Sequence, residues 1–417
     1  MAQRGATWTI LRDALAVAAV AVLTFQALRR FAGDRYLVPS GSMQPVLYGD
    51  PEHGDVVLVD KLARAAACGR HDLVVVEHPT DPQQQLVKRI AASGDDPTAC
   101  WIDIRDGDVW LGDSPQRERL RRDTKDPIAA RAMRATWAVW QANVDDPCLD
   151  RRAATVVDGE LVIPPLPDGE AASRSTFSQG AWRARRGEVA VPSGFVGNAR
   201  PVDAAYLDRV GVRGKAGEDV GVTDCGLDLQ LAAPCDELLA AIEWRAEVLT
   251  FAWRPTSGGI ALWRFGEPVA SGSLPVVTGA CRVEFGLLDD QAFFVVDGRR
   301  DSLFVVARRA EWGTGEHDGL HAAPHSHVYV GALGSRPLRL AGLSVFRDVF
   351  AWRERIAGMP GQPGEWPRFV PPGTWFLLGD NAFDSRDSRH FQAVPQSHFL
   401  GRPVAVIGPW ARCRWLP

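Results

Sequence analysis

Three segments of this 417-residue chain could do chemistry: "YLVPSGSMQPVLYGD" at 36–50, "LVKRIAA" at 86–92 and "GDNAFDSRDSRHF" at 379–391. A serine hydroxyl is a poor nucleophile until a base takes its proton. Gly41 lets a second backbone approach closely and leaves the Ser42 hydroxyl clear of the chain, although most serines in such a stretch only form turns. A free lysine, with a pKa of about 10.4, cannot be the base near neutrality. Burial lowers that value by disfavouring the charged form, and Lys88 lies in an apolar run where burial is expected. From this run alone, a lysine snorkelling from a strand edge beside Arg89 is the better reading. The third segment reverses the balance, because Ser385 offers a hydroxyl that could orient a neutral lysine, and Asp387 with Arg389 suits a pair that pins the loop.

Histidine is the obvious competing base. His53, His71 and His78 lie near the first two segments, and His317, His321, His325 and His327 cluster in "HDGLHAAPHSH". Neither group has the carboxylate context of a Ser-His-Asp site. The cluster reads as a polar loop more readily than as a metal site, so no metal and no cofactor are expected.

The elements that must hold these residues follow from pattern. With 46% apolar and 24% charged residues and a net charge of -4, the chain lacks the basic face of a nucleic-acid binder. Its 40 Gly and 29 Pro indicate many turns and short strands. Residues 14–28 are uncharged and rich in Ala, Val and Leu, which suggests an uncleaved membrane anchor over 1–33; a buried or amphipathic helix is the alternative. Charges flank that segment on both sides and leave its orientation open. Short β-branched runs at 54–62, 71–79 and 84–92 read as strands, and 101–113 as a hairpin about Asp106-Gly107. A helix-like run follows at 128–142, and the arginines at 117–122, interleaved with acids, read as a solvated face. Evenly spaced strands at about 220–350 predict a β-sandwich; those at 373–381 and 399–410 return to the first unit. Of seven cysteines, at least one is unpaired in a monomer. Cys225 and Cys235 are close enough to form a disulfide in an oxidising compartment, or are two small buried side chains.

Taken in order behind an N-terminal anchor, "PSGSMQPVL", "LVKRIAASGDD" and "GDNAFDSRDSR" resemble the type I signal peptidases, membrane-bound endopeptidases that use a Ser/Lys dyad. The resemblance covers residues 8–112 and about 365–412 and implies a mainly β fold. That fold comprises an N-terminal transmembrane helix, a catalytic core at 34–114 and 361–417, and an inserted region at 115–360. The sandwich in that insert is similar to concanavalin-like jelly rolls. The resemblance further implies Ser42 as nucleophile, Lys88 as general base, Ser40 as an oxyanion donor and Ser385 as the group orienting the lysine. Gly379, Asp380, Asn381, Asp387 and Arg389 would shape the loop. The implied partners are signal peptides of exported preproteins, cut after small residues, and the lipid bilayer. The expected molecule is a single-pass monomer of the cytoplasmic membrane, with its catalytic part on the outer face. Val46 for Thr, "RHD" at 70–72 for "RGD", "AASGD" at 91–95 for "GLPGD", and Ala382 for Arg depart from the family pattern and touch the cleft rather than the catalytic atoms. Two rivals are a self-cleaving regulatory Ser/Lys protease and an inert binding protein acting through the insert.

Overall fold

The structure, a computed structural model, describes residues 33–416 apart from 106, 143, 146–148, 151–153, 166–195, 199–221, 223, 245–246, 265–266, 290, 308–325, 350, 352–365 and 383. The proposed anchor at 14–28 and most of the histidine cluster lie outside these residues. No helix among the described residues is long and apolar enough to cross a membrane. The chain divides into two compact units: Met1–Asp103, Leu111–Leu120 and Glu354–Pro417 in one, Ile104–Trp110 and Arg121–Arg353 in the other.

In the first unit one antiparallel sheet runs in the order Gly33–Leu37, Val56–Asp60, Phe399–Gly408, Leu73–His78, Asp81–Ser93, Thr374–Leu378, Val394–Pro395. The expected strands therefore form, but two come from the far end of the chain. Val56–Asp60 alternates buried and half-buried side chains, as a strand with one face on the core must. Its inward Val57 and Val59 pack with Met43, Leu47, Leu73, Val75 and Val406. Leu73–His78 is buried on both faces, which is why it reads as an unbroken apolar run. Its other face, Val74 and Val76, packs with Ile90, Trp375, Leu377 and Val394.

The second unit is two antiparallel sheets. One has the order Leu149–Asp150, Val196–Asn198, Ser326–Leu333, Glu237–Trp244, Glu247–Trp253, Gly259–Arg264, Glu267–Ser273. The other runs Thr155–Val157, Glu160–Ile163, Leu338–Arg347, Cys225–Ala233, Cys281–Leu288, Gln291–Val296, Leu303–Ala307. Rings from the two sheets meet between them: Phe251 lies 5.7 Å from Phe294 and 6.3 Å from Phe285, and Trp253 lies 5.4 Å from Phe294. That is the sandwich expected from strand rhythm. The Asp-Gly pair at 297–298 takes φ of 49° and 64°, a conformation that favours these residue types in tight turns.

Some expectations fail here. The run at 128–142 is a short 3-10 turn, Ala129–Met133, followed by a strand, Ala135–Gln141, that pairs with Leu338–Arg347. Its alanines favour helix, but pairing and burial override propensity. The arginines at 117–122 do not all face solvent: Arg122 is 14% exposed and lies 3.4 Å from Asp108. Of the two readings of Cys225 and Cys235, the second holds: both are free and buried, and burial pushes each thiol up to about 12.

Candidate active site

Gly41–Met43 forms a single 3-10 turn entered from an extended Ser40. Met43, fully buried, fastens that turn to the apolar cluster of the sheet; burying such a side chain stabilises by roughly 1.5–3 kcal/mol. Ser42 is 8% exposed, and Ser40, two residues earlier, is exposed. The two hydroxyls lie 3.3 Å apart.

Lys88 sits opposite Val74 in the strand pair Leu73–His78 and Asp81–Ser93, at the point where the second strand passes from exposed to buried. It is 2% exposed, and its ammonium nitrogen is 2.7 Å from Ser42 Oγ. Burial lowers its pKa to about 8; the carboxylates of Asp387 and Asp380 pull the other way without restoring it. Among the described residues the Ser42 hydroxyl meets Lys88 and Ser40 and no histidine. His53 Nδ1 lies near Asp50, and His78 Nδ1 meets Thr80.

The loop after Thr374–Leu378 closes over the serine turn. Asn381 N donates to the Ser42 carbonyl at 3.1 Å, and Asn381 Nδ2 donates to the Gly41 carbonyl at 3.1 Å. Position 379 must be glycine, because a Cβ there would fall 2.5 Å from the Ser42 carbonyl oxygen and closer still to Ser385 Oγ. Asp380 takes both prongs of the Arg89 guanidinium, at 2.8 and 2.6 Å. Asp387 caps the one-turn helix Ser388–Phe391, accepts from Gly379 N at 2.9 Å, and is gripped at 2.8 Å by Arg389 Nε and Nη2. Burial would raise the Asp387 carboxyl, but Arg389 holds it below its usual range. Ser385 is fully buried and its hydroxyl makes no hydrogen bond among the described residues, to Lys88 or to any other group.

Sequence reasoning thus named residues that the fold gathers: Ser40, Ser42, Lys88, Gly379, Asp380, Asn381, Ser385, Asp387 and Arg389. It missed that Arg89 belongs to the site. The available signal was the cost of a buried guanidinium, which requires a carboxylate partner; nothing in the sequence said that Asp380 would be it.

With this geometry in view, comparison with known proteins is informative. The profile of the family described as signal peptidase, peptidase S26, matches residues 11–196 and 351–410, more than half of the chain. The chain belongs to this family. A signal peptidase I from Aquifex aeolicus (strain VF5) is 34% identical over 76 residues, which is 18% of this chain and 28% of that protein. The match therefore spans less than a third of that relative's length. Among solved structures, an endo-β-1,3-glucanase from Pyrococcus furiosus matches at TM-score 0.31 and 9% identity, covering 60% of this chain and 99% of its own. The galectin LEC-6 of Caenorhabditis elegans matches at 0.21 and 14%, covering 30% and 83%. At such scores the sandwich rests on its own strand order rather than on these neighbours.

Proposed function

We propose that the chain is a type I signal peptidase, a serine endopeptidase that cuts signal peptides from exported preproteins with Ser42 as nucleophile and Lys88 as general base. The observation that carries this reading is the 2.7 Å contact between Ser42 Oγ and a buried lysine whose pKa is lowered to about 8. A lysine so placed is partly neutral at working pH and can accept the serine proton.

Neutral Lys88 takes the Ser42 proton as Oγ attacks the scissile carbonyl. The developing oxyanion is met by the Ser42 amide and the Ser40 hydroxyl. Protonated Lys88 then passes its proton to the departing amine, leaving an acyl group on Ser42. Lys88 next takes a proton from water as the water oxygen attacks the acyl carbonyl, and returns that proton to Ser42 Oγ as the acyl bond breaks and the signal peptide leaves with a new carboxylate. Ser385 orients the lysine: a buried hydroxyl with no hydrogen bond among the described residues calls for an explanation, and accepting from the neutral amine is the role the motif gives it. The Arg89–Asp380 and Arg389–Asp387 pairs hold the loop that seats the serine.

Substrate binds as an added strand, with shallow pockets admitting small residues before the cut. The 14–28 segment anchors a monomer in the cytoplasmic membrane, with the catalytic unit on its outer face. The sandwich positions substrate or a partner. The test is cleavage of a labelled signal-peptide substrate by wild type, Ser42→Ala and Lys88→Ala side by side. Each variant is expected to lose turnover to nearly the same extent, because the two residues act as a unit. Activity of Ser42→Ala near the wild-type level sinks the proposal.

A further inference from the structure

Three carboxylates lie near enough to Lys88 for their charge to reach it: Asp387, Asp380 and Asp384. The first two are each taken by both prongs of an arginine. Asp384 differs, because it is exposed to water and its carboxylate makes no ion pair or hydrogen bond among the described residues. Arg386, two residues on, is exposed as well and does not pair with it. The backbone fixes Asp384 beside the serine turn: its N–H donates to the Asn381 carbonyl at 3.1 Å, and Asn381 N donates in turn to the Ser42 carbonyl at 3.1 Å.

Gln44 supplies the second observation. It stands two residues after Ser42 and is 4% exposed, yet its side-chain amide makes no hydrogen bond among the described residues, although a buried polar side chain normally has a partner. A Cβ at Gly41 would fall 3.1 Å from Gln44 Oε1 and 3.1 Å from Asp384 Oδ2. An amide oxygen and a carboxylate oxygen from opposite ends of the chain therefore converge beside the residue that precedes the nucleophile, and Gly41 puts no side chain between them. Two acceptors facing one point with no protein donor suit a cation, and one ammonium, whose bonds to oxygen run about 2.7–2.9 Å, bridges a pair at this spacing. Substrate geometry says where that cation comes from. An extended substrate points alternate residues to opposite sides, so before the cut the residues facing the pockets are small and the one between them faces away. A long cationic side chain thus reaches the serine turn from beyond the cut.

We propose that Gln44 and Asp384 form a cation subsite beside Ser42 that favours substrates carrying a lysine or arginine as the first or second residue after the cut. This rests on the reading of Ser42 as nucleophile. The subsite holds the substrate's ammonium or guanidinium while Ser42 attacks and takes no part in the bond changes. An acidic residue at the same place meets the Asp384 carboxylate and is disfavoured.

The test uses the full chain in detergent and three labelled signal-peptide substrates that differ only in carrying Lys, Gln or Glu at both positions after the cut. Wild type is expected to cleave the Lys peptide about three- to tenfold better in kcat/KM than the Gln peptide, and the Glu peptide least well. That spread should shrink in high salt, because an exposed carboxylate is screened. Asp384→Asn should bring the Lys/Gln ratio to about one, Asp384→Lys should turn the preference towards Glu, and Gln44→Leu should shrink the ratio. Glu267→Gln, which removes an exposed acid of the sandwich strand Glu267–Ser273, should keep it. Ser42-dependent cleavage of all three peptides at equal rates overturns the subsite and leaves the peptidase reading standing. A Lys preference that survives Asp384→Lys overturns it as well. If no peptide is cleaved, the peptidase reading fails and binding of the same peptides, followed by fluorescence anisotropy, decides the subsite. Equal affinities for the Lys and Glu peptides then overturn it, and a Lys preference that Asp384→Lys reverses upholds it.

Discussion

Lys88 and Lys125 are both removed from water, one in each unit, and differ in what their ammonium groups touch. Lys88 faces a serine hydroxyl, and the carboxylates near it, Asp380 and Asp387, are each taken by both prongs of an arginine. Lys125 rests directly on Asp289 and Asp348. Burial presses on both lysines. At Lys88 it wins and lowers the pKa to about 8; at Lys125 it is outweighed by Asp348, Asp289 and Asp108, which hold the group well above its ordinary value. An apolar strand is therefore not enough to make a lysine a base. Nearby acids must also be occupied by something else, and Arg89 and Arg389 do that here.

The largest effect expected from this contrast is on turnover. Lys88→Arg keeps the charge and most of the bulk but cannot give up a proton, so signal-peptide cleavage should fall by roughly 10⁴-fold or more. An arginine variant retaining a tenth of the wild-type rate would show that position 88 needs only a cation.

The same substitution made at both lysines should next separate them by stability. Lys125→Met leaves buried carboxylates without their partner and should cost about 3–5 kcal/mol in denaturant unfolding. Lys88→Met should cost nothing at pH 7, because the folded chain gains by losing a buried charge. The folded pKa of Lys88 lies below the unfolded value, so wild-type stability is lowest below about pH 8, where the lysine is charged in both states. It climbs by up to about 3 kcal/mol as pH rises from about 8 to 10.5, where only the unfolded chain keeps the proton. Lys88→Met should lack that climb. Equal losses from the two substitutions would erase the distinction.

The smallest effect is a matter of pH alone. If neutral Lys88 is the working base, kcat/KM should fall about tenfold per unit below pH 8 and level off above it. A flat profile between pH 6 and 9 would point to a base that is already neutral, such as a histidine.

The core strands were legible because apolar runs, β-branched at 56–60 and 73–78 and largely aromatic and Leu at 374–378, bury one or both faces, and that alone fixes their residue types. Ser42, Lys88 and the 379–389 loop were legible through motif order. The strand Ala135–Gln141 was not, since Ala-rich sequence favours helix locally and its partner Leu338–Arg347 lies some two hundred residues away. The meeting of Gln44 and Asp384 escaped for a related reason: the two are ordinary singly, and only folding reveals that they share one side of Gly41. Ser385 was expected against Lys88, yet its hydroxyl makes no hydrogen bond among the described residues; a motif gives a side chain's neighbourhood but not its rotamer.

The sheet order of the first unit also sets a timetable. Phe399–Gly408 lies between Val56–Asp60 and Leu73–His78, and Thr374–Leu378 borders the strand that carries Lys88. During synthesis, the early strands must wait for Phe399–Gly408 to emerge before either gains its central neighbour, while the described strands of the sandwich are all made by Arg347. A chain emerging from the ribosome thus carries Ser42 and Lys88 through some three hundred further residues before the loop that seats them is made. Asn381 cannot hold the Ser42 carbonyl until residue 381 has been added, so the serine turn is secured only after the sandwich can already have folded.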